Sequence, residues 1–194
     1  MMKEDTKTRI LERGAEIIHL KGFNHTGVQE VLRAAGVPKG SFYNYFKNKE
    51  DFGIQVIDYF MEFYSKLAEE ALGDRSVPPL ERIRNFLGWF IEFFKSKDFA
   101  YGCPIGNLAQ EMGDLSPAFR EKLKQGLDAM VDLYTGVLAE AQEAGDLSKG
   151  LDVREAAYFL VYSWHGALMH MKAVKGPAPL ENHLKSIFRY VLIS

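Results

Sequence analysis

The stretch FNHTGVQEVLRAAGVPKGSFYNYFKNKEDF, from Phe23 to Phe52, decides how the rest of the chain is read. It describes two short helices at a sharp turn, followed by the start of a long one. Thr26 opens the first of the pair: its hydroxyl is placed to cap free backbone N–H groups, and Gln29 stands three residues on, where a capping box takes Glu or Gln. Val28, Val31 and Leu32 pack inward. Ala35-Gly36-Val37 makes the turn, with Gly36 free to take a positive φ. Pro38 suits the first turn of the second helix, about Pro38 to Phe46. Phe42 and Phe46, at i and i+4, fix the inner face of that helix and belong to the core.

What those two rings leave outside is Lys39, Gly40, Ser41, Tyr43, Asn44 and Lys47. These residue types suit a DNA groove. Lys39 offers charge to phosphate or guanine edges, Gly40 lets a backbone approach closely, and Ser41 and Asn44 can bond base edges or phosphates. The Tyr43 hydroxyl can reach a phosphate oxygen while its ring lies against sugar. Lys49 adds a phosphate contact beside the N–H groups that open the next helix. Lys47 reads as a solvated lysine.

At this point the segment resembles the DNA-binding domain of TetR-type regulators. The resemblance rests on Phe23, Thr26, Val28, Ala35-Gly36-Val37, Lys39-Gly40-Ser41-Phe42-Tyr43, Phe46 and Lys49-Glu50, all in one register across residues 6–66. It implies DNA-contact roles for Thr26, Gln29, Lys39, Gly40, Ser41, Tyr43, Asn44, Tyr45 and Lys49. One departure is Gly27, which stands where a second Ser or Thr is frequent. A hydroxyl contact is lost there, while the backbone N–H remains.

Working outward, apolar periodicity is helical nearly everywhere and no segment alternates as a strand. About nine helices are expected in an all-α fold. The first spans about residues 6–21 and is stopped by Gly22; a long one covers 49–72, and others cover 80–95, 104–112, 117 onward, 153–172 and 180 to the end. The expected organisation is a helix-turn-helix head over residues 6–66 and an effector-binding and dimerisation body over 67–194. Residues 1–50 hold nine Lys and Arg against six Asp and Glu, and the remainder fifteen against twenty. A basic head on an acidic body suits a protein that touches a polyanion with one end. Cys103 is the only cysteine, so no internal disulfide is expected and a reducing cytoplasm fits. The opening MMKEDTKTR lacks the apolar core of a secretory signal. The longest run without a formal charge, Ala156–Met171, is too short for a membrane span.

The helix holding that run is apolar around its circumference, so it should be covered on several sides. Ala156, Ser163 and Ala167, with Gly166 at the edge, form a strip of small residues; the last helix adds Leu184, Ile187, Phe188, Val191 and Leu192. These two helices are expected to pair with their copies in a four-helix bundle, and the family resemblance implies the same homodimer. A two-fold dimer would present its recognition helices to successive major grooves, so the duplex target should be a near-palindrome. An effector pocket is expected within the body, lined by Trp89, Phe93, Tyr101, Cys103, Asn107, Met112, Tyr134 and His165; aromatic walls with few polar groups suit a largely apolar small molecule. No cofactor is called for, and the His, Asp and Glu residues show no metal-ligand spacing. Two other functions compete with this one, a helical enzyme using the same pocket and a helix-turn-helix serving as a protein-interaction module. Against the enzyme, there is no P-loop, dinucleotide fingerprint, HExxH or nucleophile elbow.

Overall fold

The computed structural model describes residues 3–192; residues 193–194, assigned above to the last helix, lie outside the described residues, as do 1–2. Eight α-helices and one 3₁₀ helix follow one another, with no strand among the described residues. They are α1 (Lys3–Lys21), α2 (Val28–Ala34), the 3₁₀ helix (Lys39–Asn44), α3 (Lys49–Leu72), α4 (Pro79–Ser96), α5 (Pro104–Met112), α6 (Pro117–Ala144), α7 (Val153–Val174) and α8 (Ala178–Tyr190). The all-α expectation holds.

Local chemistry accounts for most of the ends. The α1 helix stops at Gly22, whose φ of 86° is left-handed and whose N–H still donates to the Ile18 carbonyl at 2.8 Å. Gly36, at φ 65°, turns the chain after α2, and the Val37 N–H then donates back to Leu32 at 2.9 Å. Asp152 caps α7 by accepting from the N–H groups of Arg154 and Glu155 at 2.9 and 3.0 Å. Thr26 departs from expectation. The α2 helix begins after Gly27 with no side-chain cap, and the Thr26 hydroxyl instead donates to the Gly22 carbonyl at 2.6 Å. With Gly22 exposing a free carbonyl one turn back, the hydroxyl closes the α1–α2 turn. The second helix of the pair, expected over about Pro38 to Phe46, is a 3₁₀ helix over Lys39–Asn44.

The described chain forms two compact units. One takes residues up to Tyr64 together with Pro104–Gly126; the other takes Ser65–Cys103 and the described residues from Leu127 onward. The body expected from residue 67 is therefore not one unit, because α5 and the start of α6 pack with the helix-turn-helix. In the first unit, Ile10, Ile18, Val31, Leu32, Phe42, Phe46, Phe52, Val56 and Ile57 make the core, joined by Phe119 and Leu123. Close helix approach depends on glycine at two places: a Cβ on Gly14 would run into the Phe52 ring, and one on Gly53 into the rings of Phe23 and Phe119. In the second unit, α4, α6, α7 and α8 bury Ile83, Leu87, Val131, Leu138, Leu160, Trp164, Met171 and Phe188. Arg82, 3% exposed, donates to the Leu72 carbonyl at the end of α3 and to the Glu140 carboxylate. A buried guanidinium is tolerable there because it satisfies one of the free carbonyls of a helix end and is paired.

Two stability outcomes follow. Helix propensity alone makes Ala about 1 kcal/mol more stable than Gly. Gly14→Ala is expected to reverse that sign, destabilising by about 1–3 kcal/mol in urea unfolding, because the methyl overlaps Phe52. Arg82→Met keeps the apolar stem but removes the cap of α3 and one of the two cations that pair with Glu140, Arg75 being the other. A loss of about 1–3 kcal/mol is expected in the same assay, from the Leu72 carbonyl left without its donor.

Candidate nucleic-acid interface

Three phenylalanines set the geometry. The rings of Phe42 and Phe46 lie 5.1 Å apart, and Phe52 from α3 meets Phe46 at 5.1 Å and Phe42 at 5.7 Å. Each of the three is 1% exposed. Burying each ring is worth about 1.5–3 kcal/mol, enough to hold a segment too short to be stable by its own backbone bonds. Those backbone bonds are nonetheless present: Ser41 donates to Pro38, and Tyr45 and Phe46 both donate to Phe42, all at 3.0 Å.

The opposite side is what remains outside. Tyr43 is 74% exposed beside a Phe42 that is 1% exposed, and its ring meets the edge of Phe42 at 5.4 Å. Lys39, Gly40 and Asn44 are exposed with it, Ser41 and Tyr45 are half-buried, and Gln29 is exposed on α2. Nothing lies within 4 Å of where a Gly40 Cβ would be, so the backbone there is open to approach. Cation, hydroxyl, amide and bare backbone thus share one short segment. This is the donor set that phosphate and base-edge contacts require.

Two sites assigned above also make contacts within the chain. Thr26 is 2% exposed and its hydroxyl is committed to Gly22, so it supports the turn. Lys49 is half-buried, with Nζ 4.5 Å from the Phe23 ring centroid and 3.4 Å from the Asn24 carbonyl. Burial draws its pKa below the usual lysine range, against the pull of the Glu111 carboxylate. The start of α3 carries a cap the sequence reading missed. Asn48 Oδ1 accepts from the Asp51 N–H at 2.8 Å, while Asp51 accepts from the Lys47 N–H at 2.9 Å. The Asn48-x-x-Asp51 spacing was a usable signal for it.

The expected effector residues do not all come together. Trp89 stacks on Phe93 at 5.4 Å and 11°, and Phe93 meets Tyr101 at 6.2 Å. In the same unit, Cys103 interacts with both His165 and Tyr134. Burial disfavours the charged form of His165, but the Cys103 thiol and the Val161 carbonyl, 2.8 Å from Nδ1, outweigh it and raise its pKa. Burial, with Cys103, pushes the Tyr134 phenol well up, keeping it neutral. Asn107 and Met112 belong instead to the unit that holds the helix-turn-helix, where Met112 Sδ accepts from Asn24 Nδ2 at 3.5 Å.

The expected dimer residues also divide. Ala156, Ile187 and Phe188 are buried in the core of their own chain, the last beneath the Arg84 guanidinium at 4.0 Å. They are not free for a second copy. Ser163, Ala167, Leu184 and Val191 are half-buried and Gly166 is exposed. The exposed apolar side of α7 is instead Phe159, Tyr162, Met169 and Val174, between 51% and 73% exposed. A groove of about 480 Å³ opens along α7 and α8 beside Gly166, Ala167, His170 and Asn182. No helix among the described residues is long and apolar enough to cross a membrane.

The family model described as bacterial regulatory proteins, tetR family, matches residues 10–54, and the tetracyclin repressor-like C-terminal domain matches residues 79–187. The chain is 34% identical over 194 residues to the HTH-type transcriptional repressor DhaR of Mycobacterium sp. strain GP1, covering 100% of this chain and 96% of that protein. It is 36% identical to the transcriptional regulator AcuR of Cereibacter sphaeroides, covering 93% of this chain and 83% of that one. A regulatory protein TetR from Rhodobacter sphaeroides superposes with a TM-score of 0.89 at 36% identity, over 94% of this chain and 97% of that one. The reduced form of Escherichia coli NemR does so with a TM-score of 0.86 at 27% identity, over 98% and 100%. The chain belongs to the tetR family of bacterial regulatory proteins.

Proposed function

We propose that this protein is a sequence-specific DNA-binding repressor that acts as a homodimer in the cytoplasm and leaves its operator when a small effector binds. The observation that carries the reading is the solvent-facing set Lys39, Gly40, Tyr43 and Asn44, held out by a Phe42 and Phe46 that are 1% exposed. Ser41, Tyr45 and Gln29 complete the contact set, with Lys49 and the capped N-terminus of α3 beside a phosphate. Thr26 acts from behind, keeping the turn closed. The repressor named DhaR is similar over the whole chain, which supports the sign of regulation.

The dimer is formed by α7 and α8 against their copies. Phe159, Tyr162, Gly166 and Met169 follow helical spacing along one side of α7, and a monomer would leave that stripe in water. Ser163, Ala167, Leu184 and Val191 flank it. Two-fold pairing places two heads on half-sites roughly 34–36 Å apart, so the operator is a near-palindrome. The effector is a largely apolar molecule received by Trp89, Phe93, Tyr101, Cys103, Tyr134 and His165. It must bind the state that does not fit DNA more tightly, and by linkage the operator then weakens the effector equally.

Selection from a random duplex pool is expected to return a palindromic sequence. On that duplex, Lys39→Ala and Tyr43→Ala should each weaken binding about tenfold or more, and Lys39→Ala should lower the salt slope by about 1. Unchanged affinity in both variants would remove the DNA assignment. In sedimentation, Phe159→Arg combined with Met169→Arg should convert a dimer to a folded monomer; a persistent dimer would move the interface off this side of α7.

A further inference from the structure

The turn between α1 and α2 is gripped by a residue far along the chain. The Glu111 carboxylate, in the last turn of α5, accepts from the Phe23 N–H at 2.9 Å through Oε2 and from the Asn24 N–H at 2.7 Å through Oε1. Successive backbone N–H groups after a left-handed residue form a concavity suited to an anion, and here the anion is built in. Gly22 is needed twice over. Its φ is 86°, and a Cβ there would stand 2.7 Å from the Glu111 carboxylate.

The grip is part of a larger contact. The Phe23 side chain, 6% exposed, lies 4.8 Å from the Phe119 ring of α6 and under the Lys49 ammonium of α3. The Asn24 side chain donates to Met112, and the Asn24 backbone carbonyl accepts from Lys49. At the end of the α5–α6 connection, the Ser116 hydroxyl donates to Glu50 in the first turn of α3, at 2.5 Å. The segment from Glu111 to Phe119 therefore holds both the entry to α2 and the start of α3. Between these two lies the 3₁₀ helix with the candidate DNA contacts.

We infer that Glu111 is a positioning residue for duplex binding: its carboxylate clamps the Phe23–Asn24 backbone and so sets the angle at which α2 and the 3₁₀ helix meet DNA. This rests on the DNA-binding reading above. Glu111 itself touches no DNA. The inference has a sign opposite to simple electrostatics. Removing a negative charge from a DNA-binding head should tighten binding to a polyanion. Losing a clamp made of charge-assisted hydrogen bonds should weaken it.

The test uses the full-length protein and the duplex that the wild type selects from a random pool. Glu111→Gln keeps the shape but leaves one acceptor oxygen and turns an amide toward an N–H donor. Its dissociation constant should rise about tenfold. The salt slope should stay at the wild-type value, because no phosphate contact is lost, and the Phe23 and Asn24 amides should exchange faster with solvent. Glu121→Gln, which removes a charge from an exposed position of α6, should stay within about twofold of wild type or bind more tightly. Affinity of Glu111→Gln equal to or tighter than wild type would overturn the inference. So would a matching loss in Glu121→Gln, or a fall in melting temperature and helicity that accounts for the weaker binding. A wild type that selects no duplex would sink the DNA-binding reading itself, and the clamp with it.

Discussion

The mutual burial of Phe42, Phe46 and Phe52 is the contact on which the first unit depends. A six-residue 3₁₀ helix has poor hydrogen-bond geometry and no independent stability. Its orientation is imposed by two rings packed on a third from α3, each 1% exposed. Once those rings are inside, chain geometry puts Tyr43 and Asn44 outside. The chemistry offered to a partner is thus a consequence of apolar packing on the reverse side. The same constraint explains Gly14: α1 must come close enough to cover the Phe52 ring, and a methyl at position 14 would hold it off.

Much of this was legible in the sequence because the informative contacts are local. The i, i+4 spacing of Phe42 and Phe46, the left-handed turns at Gly22 and Gly36, and the Pro and Gly punctuation placed the helices without help from tertiary structure. What was misread turned on competition between local and distant partners. Thr26 has the spacing of a helix cap, but a carbonyl one turn earlier takes its hydroxyl.

Periodicity was also blind to which copy of the chain covers a given face. The α7 helix is apolar all round, and nothing in its spacing tells its own α8 from a partner's. Ala156, Ile187 and Phe188 are therefore core, while Phe159, Tyr162 and Met169 stand in solvent. Asn107 and Met112, expected among the effector residues, pack with the helix-turn-helix. Glu111 left no sequence signal at all. Its partners are backbone N–H groups 87 and 88 residues away, and backbone groups carry no residue identity for a pattern to find.

The central claim is that the side of the 3₁₀ helix opposite its phenylalanines enters duplex DNA. A crystal structure of the protein with its selected duplex tests this most directly. The account predicts Tyr43 and Lys39 within hydrogen-bonding distance of phosphates or base edges, with Phe42 and Phe46 still packed on Phe52. A complex in which that side faces solvent, while DNA lies against another surface, would contradict it.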